Sequence, residues 1–342
     1  MRRRRLVLVV LATVVLVAAG CGDDDDDDAT GAQETTTTEA GADDGDETTT
    51  TAGGASASGQ TIDVKAVDYE FQGAPSEVQA GVIDLTFTNE GEVAHEYGVA
   101  EIGDTPLDTF LADFPAVLEG GPFPEYVGAI AVPATVGPGD SLETSFTLTE
   151  GTYAVFCTLD GTVPEEGATT TTAAPEGEGG PPEEEVGPTH FTLGMAQTME
   201  VTAGDDAASL PDDGGTITAR DYAFDVDVEA GDQTVTFVNE GPEQVHHAVM
   251  FTFNEGVDEA AASAALDTML ASEDESSPPP PELDVTAEEL GTGIFSAGLG
   301  QTVPMTFEAG RTYAAVCFLQ DRAGGPPHLV AHGMKEIFTV PG

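Results

Sequence analysis

Residues 314–334 read AAVCFLQDRAGGPPHLVAHGM. This stretch holds one of the three cysteines, two of the six histidines and one of the seven methionines in a chain of 342 residues. An earlier series has the same order. AVFCTLDG begins at Ala154 and GPTHFTLGM ends at Met195, so Cys157, His190 and Met195 precede Cys317, His328 and Met334.

Outward from these stretches the chain repeats itself. AGVIDLTFTNEG (80–91) matches AGDQTVTFVNEG (230–241) at an offset of 150, and GTYAVFC matches RTYAAVC at an offset of 160. VDYEF, ending at Phe71, matches RDYAF, ending at Phe224. A unit present twice is the economical reading. The changing offset locates two insertions: SEDESSPPPPE before Cys317, and TTTTAAPEGEGGPPEEE between Cys157 and His190. The expected boundaries are 60–203 for the first copy, 204–213 for a linker and 214–342 for the second copy, each long enough to bury a core of its own.

Within each copy, DLTFTN, TVTFVN, SFTLT and TYAVFC are short, alternating or β-branched runs bounded by glycine. They predict an antiparallel all-β sandwich with Greek-key connections. One helix is inserted in each copy. TPLDTFLADFPAVLEG places Thr105 as N-cap and Pro106 at the first helical position, and NEGVDEAAASAALDTMLAS is alanine-rich.

The N-terminus sets the compartment. Arg2–Arg5 precede an apolar run, Leu6–Ala19, which is shorter than the roughly 20 residues a bilayer-spanning helix needs. AAGC (18–21) resembles the lipobox of bacterial lipoproteins. The resemblance implies a signal peptide over 1–20, a lipid on Cys21, and a chain anchored to the membrane outside the cytoplasm. Residues 21–59, with GDDDDDD and threonine-rich blocks, predict a disordered acidic tether.

Charge narrows the partners. The formal net charge is −54, and removal of Arg2–Arg5 leaves five basic residues against 63 acidic ones. Such a field repels phosphate backbones, so no nucleic-acid partner is expected, whereas a basic redox protein is a suitable one. Cys157 and Cys317 are too sparse for a disulfide framework, and a bound metal gives an exported thiol a reason to persist.

All six histidines lie in the repeated motifs: His95 after TNEGEVA, His246 and His247 after VNEGPEQV, then His190, His328 and His332 before the methionines. This order resembles the cupredoxin, or blue-copper, family over nearly all of residues 60–342. The resemblance implies one copper at most in each copy, held by a thiolate, two imidazoles and a weak axial methionine. The first copy then offers His95, Cys157, His190 and Met195. The second offers Cys317, His328, Met334 and either His246 or His247. Strand parity selects His247, which alternates with Val249, Phe251 and Phe253. His332 is a rival to His328, because six positions rather than five separate His328 from Met334.

The family's cysteine and following histidine usually lie closer than here, where ten residues separate Cys317 from His328 and 32 separate Cys157 from His190. The compact second loop, ending in two prolines, favours the second site. The expected function is single-electron transfer. Copper sequestration or delivery, and a metal-free interaction module, are the alternatives. Catalysis is not expected, because the six histidines are consumed by two mononuclear sites and no further catalytic motif is present.

Overall fold

The computed structural model describes residues 60–161, 187–204, 209–211, 214–271 and 278–342. The signal segment, Cys21, the tether, the insertion over 162–186 and most of the expected linker lie outside the described residues.

The first copy contains β1 (Gln60–Val67), β2 (Glu70–Gln72), β3 (Glu77–Gln79), β4 (Gly81–Asn89), β5 (His95–Glu101), β6 (Ile130–Val136), β7 (Ser141–Leu148), β8 (Gly151–Phe156) and β9 (Ala196–Thr202). The second contains β10 (Gly215–Arg220), β11 (Ala223–Asp227), β12 (Gly231–Asn239), β13 (Val249–Thr252), β14 (Leu290–Gly291), β15 (Ile294–Phe295), β16 (Gly300–Phe307), β17 (Thr312–Val316) and β18 (Lys335–Thr339). Alternation decides the inward faces. In β1, Ile62, Val64 and Ala66 are buried while Thr61, Asp63 and Lys65 face water.

Each copy is a two-sheet sandwich. The first has β2-β1-β4-β7 on one side and β3-β9-β8-β5-β6 on the other, and the second has β11-β10-β12-β16 opposite β14-β13-β17-β18. The pairs β1/β4, β3/β9 and β10/β12 are parallel among otherwise antiparallel ladders; in the first copy the chain passes through β3 of the opposite sheet before β4 returns beside β1.

The two copies are stitched together. β16 pairs with β7 through Gln301↔Phe146 and Thr302↔Ser145, which makes one eight-stranded sheet across both copies. β15 pairs with β6 through Ile294↔Val132 and Phe295↔Ala131. Gly293 permits that approach, since a Cβ there would stand 2.1 Å from the Val132 carbonyl oxygen. Buried side chains of both interiors, among them Phe87, Phe146, Phe237 and Phe307, form one contiguous apolar cluster. The separate cores expected from the repeat are therefore joined.

The inserted helices cover the outer faces of the central strands. The expected first helix is two pieces, α1 (Leu107–Asp113) and α2 (Pro115–Leu118), divided where Pro115 offers no N–H. Pro106, not Thr105, holds the cap position, and no side chain caps it. Phe110 and Phe114 pack on Phe156 with ring centroids 5.1 and 5.0 Å away. In the second copy, α3 (Glu259–Ala271) is capped by Asp258, whose Oδ1 accepts the Ala261 N–H at 2.8 Å. It buries Ala262, Ala265 and Leu266 with Phe253, Ala314 and Val316. β5 and β13 are thus covered by apolar groups on both faces.

Candidate metal centres

The same asparagine brace precedes each upstream histidine. Asn89 donates through Nδ2 to the carbonyls of Val93 (2.7 Å) and Val136 (3.2 Å), and its Oδ1 accepts the Gly91 N–H at 2.9 Å. Asn239 repeats this with Gln244 (2.9 Å), Phe295 (2.8 Å) and Gly241 (2.9 Å). Both side chains are fully buried, so three satisfied bonds fix each turn that delivers His95 or His246.

The downstream ligand loops close in the same way despite their unequal lengths. The N–H of His190 donates to Leu159 O at 2.8 Å and that of Phe191 to Cys157 O at 3.0 Å. The N–H of His328 donates to Leu319 O at 2.6 Å and that of Leu329 to Cys317 O at 2.9 Å. One helical turn follows each time, a 3₁₀ turn over His190–Leu193 and α4 (His328–Ala331). Sequence reading had no helix here, because four residues are too few to show a period. The Met195 and Met334 carbonyls accept the N–H of Cys157 and Cys317, both at 3.3 Å, and both methionines are fully buried. The backbone thus seats each methionine beside its cysteine.

Two clusters result: His95, Cys157 and His190 in the first copy, and His246, Cys317 and His328 in the second, each with one ligand atom per residue within 4.8 Å of the others. In the first, His190 Nδ1 lies 3.1 Å from His95 Nδ1 and 3.4 Å from Cys157 Sγ. In the second, Cys317 Sγ lies 3.4 Å from His328 Nδ1 and 3.7 Å from His246 Nδ1. Three donors in a trigonal set, each about 2 Å from one ion, stand about 3.5 Å apart, so these donor sets fit a single transition-metal ion.

His246 therefore takes the place expected for His247. The parity argument failed because both faces of β13 are apolar. His246 shares its face with Ala248 and Met250, which line the sandwich interior. His247 shares its face with Val249 and Phe251, which pack in the cluster beneath α3. Its Nε2 accepts the Phe318 N–H at 2.9 Å instead. Counting from the asparagines shows the cause: His95 is six positions after Asn89, and His246 is seven after Asn239. The one-residue insertion makes His246 the counterpart of His95, and His247 the counterpart of Glu96.

Burial sets the protonation states. It pushes His95 and His246 down to about 4, with the facing His190 and His328 adding to the effect. It also lowers His190 and His328, both next to carboxylates, Asp160 and Asp321, that oppose the shift. All four imidazoles are neutral near pH 7, as metal ligation requires. Burial raises the thiols, Cys157 with a further contribution from Glu96, and Cys317 to about 12. The Glu96 N–H donates to Cys157 Sγ at 3.4 Å.

Around the second site stand groups that motif reading missed. Asp321 Oδ1 lies 3.3 Å from His328 Nε2 and accepts the Tyr222 hydroxyl at 2.9 Å. His332 stacks on Tyr222 at 3.6 Å, with Nε2 3.3 Å from Asp321 Oδ2, so it lies outside the metal cluster. Tyr222 packs edge-on against His328 at 5.4 Å, as Tyr69 does against His190 at 5.2 Å. The repeated VDYEF and RDYAF motifs were the available signal for these tyrosines.

No protein-family model and no curated protein matches the chain. Solved structures do. Reduced auracyanin from Roseiflexus castenholzii is 21% identical over 42% of this chain and 97% of its own, with a TM-score of 0.25. The fold is cupredoxin-like. Copper nitrite reductase from Nitrosomonas europaea is 12% identical over 83% of this chain and 95% of its own (TM-score 0.22), and blue copper oxidase from the same organism is 11% identical over 83% and 86% (TM-score 0.22). The expectation that the chain is no enzyme is corrected by these two, since the structures that extend across both copies are named as enzymes. At such scores they assign no reaction to this chain.

Proposed function

We propose that each copy holds one copper ion and that the protein carries single electrons outside the cytoplasm, anchored through a lipid on Cys21. The observation that supports this reading is the convergence, twice, of one buried cysteine and two buried Nδ1 atoms on one point. Copper, which the nitrite reductase and the oxidase carry in their names, supplies an ion that cycles between two oxidation states on a thiolate–imidazole set.

The residues prepare each site for that ion. His95 and His190, or His246 and His328, present neutral Nδ1 atoms. Cys157 and Cys317 surrender protons that burial otherwise retains, so metal uptake releases acid. The asparagine braces and the bonds between each cysteine and the backbone after its histidine hold the donors on rigid strands, which limits rearrangement when the charge changes. Complete burial of the six donors favours electron transfer over copper delivery, which needs accessible ligands. Gln320, Asp321 and Arg322 each bond to residues outside the second Cys–His loop, which preorganises it, and the second site is the tighter one. The acidic surface suits a basic redox partner.

Copper titration of the mature protein, read by visible absorption and electron paramagnetic resonance, tests the reading. The expected result is one copper per copy with an intense thiolate-to-copper band. At substoichiometric copper, Cys317→Ser removes more of the band than Cys157→Ser. Tight Cu(I) binding with a colourless Cu(II) form indicates copper handling instead, and no stoichiometric copper ends the proposal.

A further inference from the structure

The loop between Cys317 and His328 belongs to the second copy, where Gln244 Oε1 accepts the Arg322 N–H at 2.9 Å and Ser296 Oγ lies 3.4 Å from the Arg322 guanidinium, but the first copy grips it as well. Gln320 Nε2 donates to the carbonyls of Val117 (3.0 Å) and Gly121 (2.9 Å). Arg322 places one guanidinium nitrogen 2.6 Å from both Val127 O and Gly128 O, lies over the Phe123 ring at 5.2 Å, and accepts the Phe123 N–H on its own carbonyl at 2.8 Å. The N–H of Gly325 donates to Gly120 O at 3.3 Å. Gly324 has φ +80°, and a Cβ there would stand 2.9 Å from Gly121 C and Pro122 N, so the two backbones are in direct contact.

Charge sharpens the point. Lys65, Arg220, Arg311 and Lys335 each meet a carboxylate. Among the described residues Arg322 is the basic side chain without one, in a chain where acidic groups outnumber basic ones sevenfold. Burial disfavours its charge. A guanidinium placed against neutral carbonyls and an aromatic face, with so many carboxylates to choose from, is a recognition contact rather than a surface ion pair.

Alternation along the loop carries this contact to the metal centre. Gln320 and Arg322 reach into the first copy, and Asp321 between them turns back to His328 and Tyr222. We infer that the end of α2 and the segment that follows it in the first copy, residues 117–128, position the second copy's metal loop, with Arg322 and Gln320 as the positioning residues. The inference rests on the copper reading for its consequence but not for its geometry. Contacts from outside the copy also offset part of the entropy lost when the ten-residue loop is ordered.

The test uses the full mature protein carrying Cys157→Ser, so that only the second site loads. Three variants are made on that background: Arg322→Met, Arg322→Lys, and Phe123→Ala in the other copy. Amide hydrogen exchange without metal comes first. Exchange of the His328 and Leu329 amides is expected to rise about tenfold or more in Arg322→Met and Phe123→Ala, and less in Arg322→Lys, which keeps the charge but loses the fork. Copper affinity of the second site is then expected to fall about tenfold, with a shifted copper hyperfine splitting. In a Cys317→Ser background Phe123→Ala leaves the first site's spectrum as it is, which separates positioning from general unfolding. Unchanged exchange in both Arg322→Met and Phe123→Ala overturns the inference. Faster exchange in a parent that takes up no copper upholds the positioning contact and refutes the copper reading alone.

Discussion

Glu96 and His247 occupy the same place in the two copies. Glu96 Oε1 accepts the N–H of Thr158 at 2.7 Å, and His247 Nε2 accepts the N–H of Phe318 at 2.9 Å. Each acceptor directly follows a metal-facing histidine, and each donor directly follows a cysteine. The pair ties the two strands that carry the donors, and a carboxylate and an imidazole serve equally as acceptors.

The two adjacent histidines should therefore respond oppositely to substitution. His246→Gln is expected to abolish the second site's thiolate-to-copper band. His247→Gln keeps an acceptor for Phe318 and retains the band, while His247→Leu strands that N–H and costs about 1–3 kcal/mol of stability. Visible spectra and urea unfolding of the three variants check this. Loss of the band in His247→Gln alone would restore His247 as the ligand.

The asparagine brace predicts a coupled loss. Asn239→Ala removes three bonds inside the fold and is expected to cost about 2–4 kcal/mol. It should weaken copper at the second site and leave the first unaltered, with Asn89→Ala giving the converse. Chemical denaturation and site-selective loading measure both effects. Equal damage to both sites from either variant would contradict a local brace.

The metal-free protein should lose stability as pH falls from about 6.5 to 4. His95 and His246 are held down to about 4, first by burial and then by a facing imidazole. In that window the unfolded chain takes up protons that the folded chain refuses, so the free energy of unfolding falls; above about 6.5 neither state binds them and the contribution is constant. The effect is on the order of 3 kcal/mol per histidine. Urea midpoints at pH 7.5 and 4.5, compared with those of a His95→Gln/His246→Gln variant, isolate it from the general carboxylate titration. Equal pH slopes in the two proteins would remove these histidines from the account.

Cys21→Ser should abolish lipidation of the precursor. No helix among the described residues is long and apolar enough to cross a membrane, and the AAGC motif is the anchor proposed for this chain. Lipid labelling with membrane fractionation checks it. A variant that keeps the label and sediments with membranes would refute the assignment.

Much was legible in the residues alone, because it depends on short-range pattern. The alternation in DLTFTN and TVTFVN specifies strands whichever sheet they join, and the repeated NEG, TYA and GM motifs mark two copies of one plan. Residue chemistry singled out Cys157, His190, Cys317 and His328 as metal-facing candidates, and the structure brings each of them into a cluster. Loop length mattered little, since closure cost grows only slowly with the number of residues between two fixed ends.

Three things were left to the tertiary structure. Parity on β13 could not choose between His246 and His247, because the sandwich interior buries one face of that strand and α3 buries the other. Nothing local announces that β16 pairs with β7, or that Arg322 seeks Val127 and Gly128 of the other copy. These are contacts between segments more than 150 residues apart in sequence. A chain's own period says which side of an element is apolar; which apolar side meets which, and which loop a neighbouring copy grips, follows only when the whole core closes and each buried polar group must find its partner.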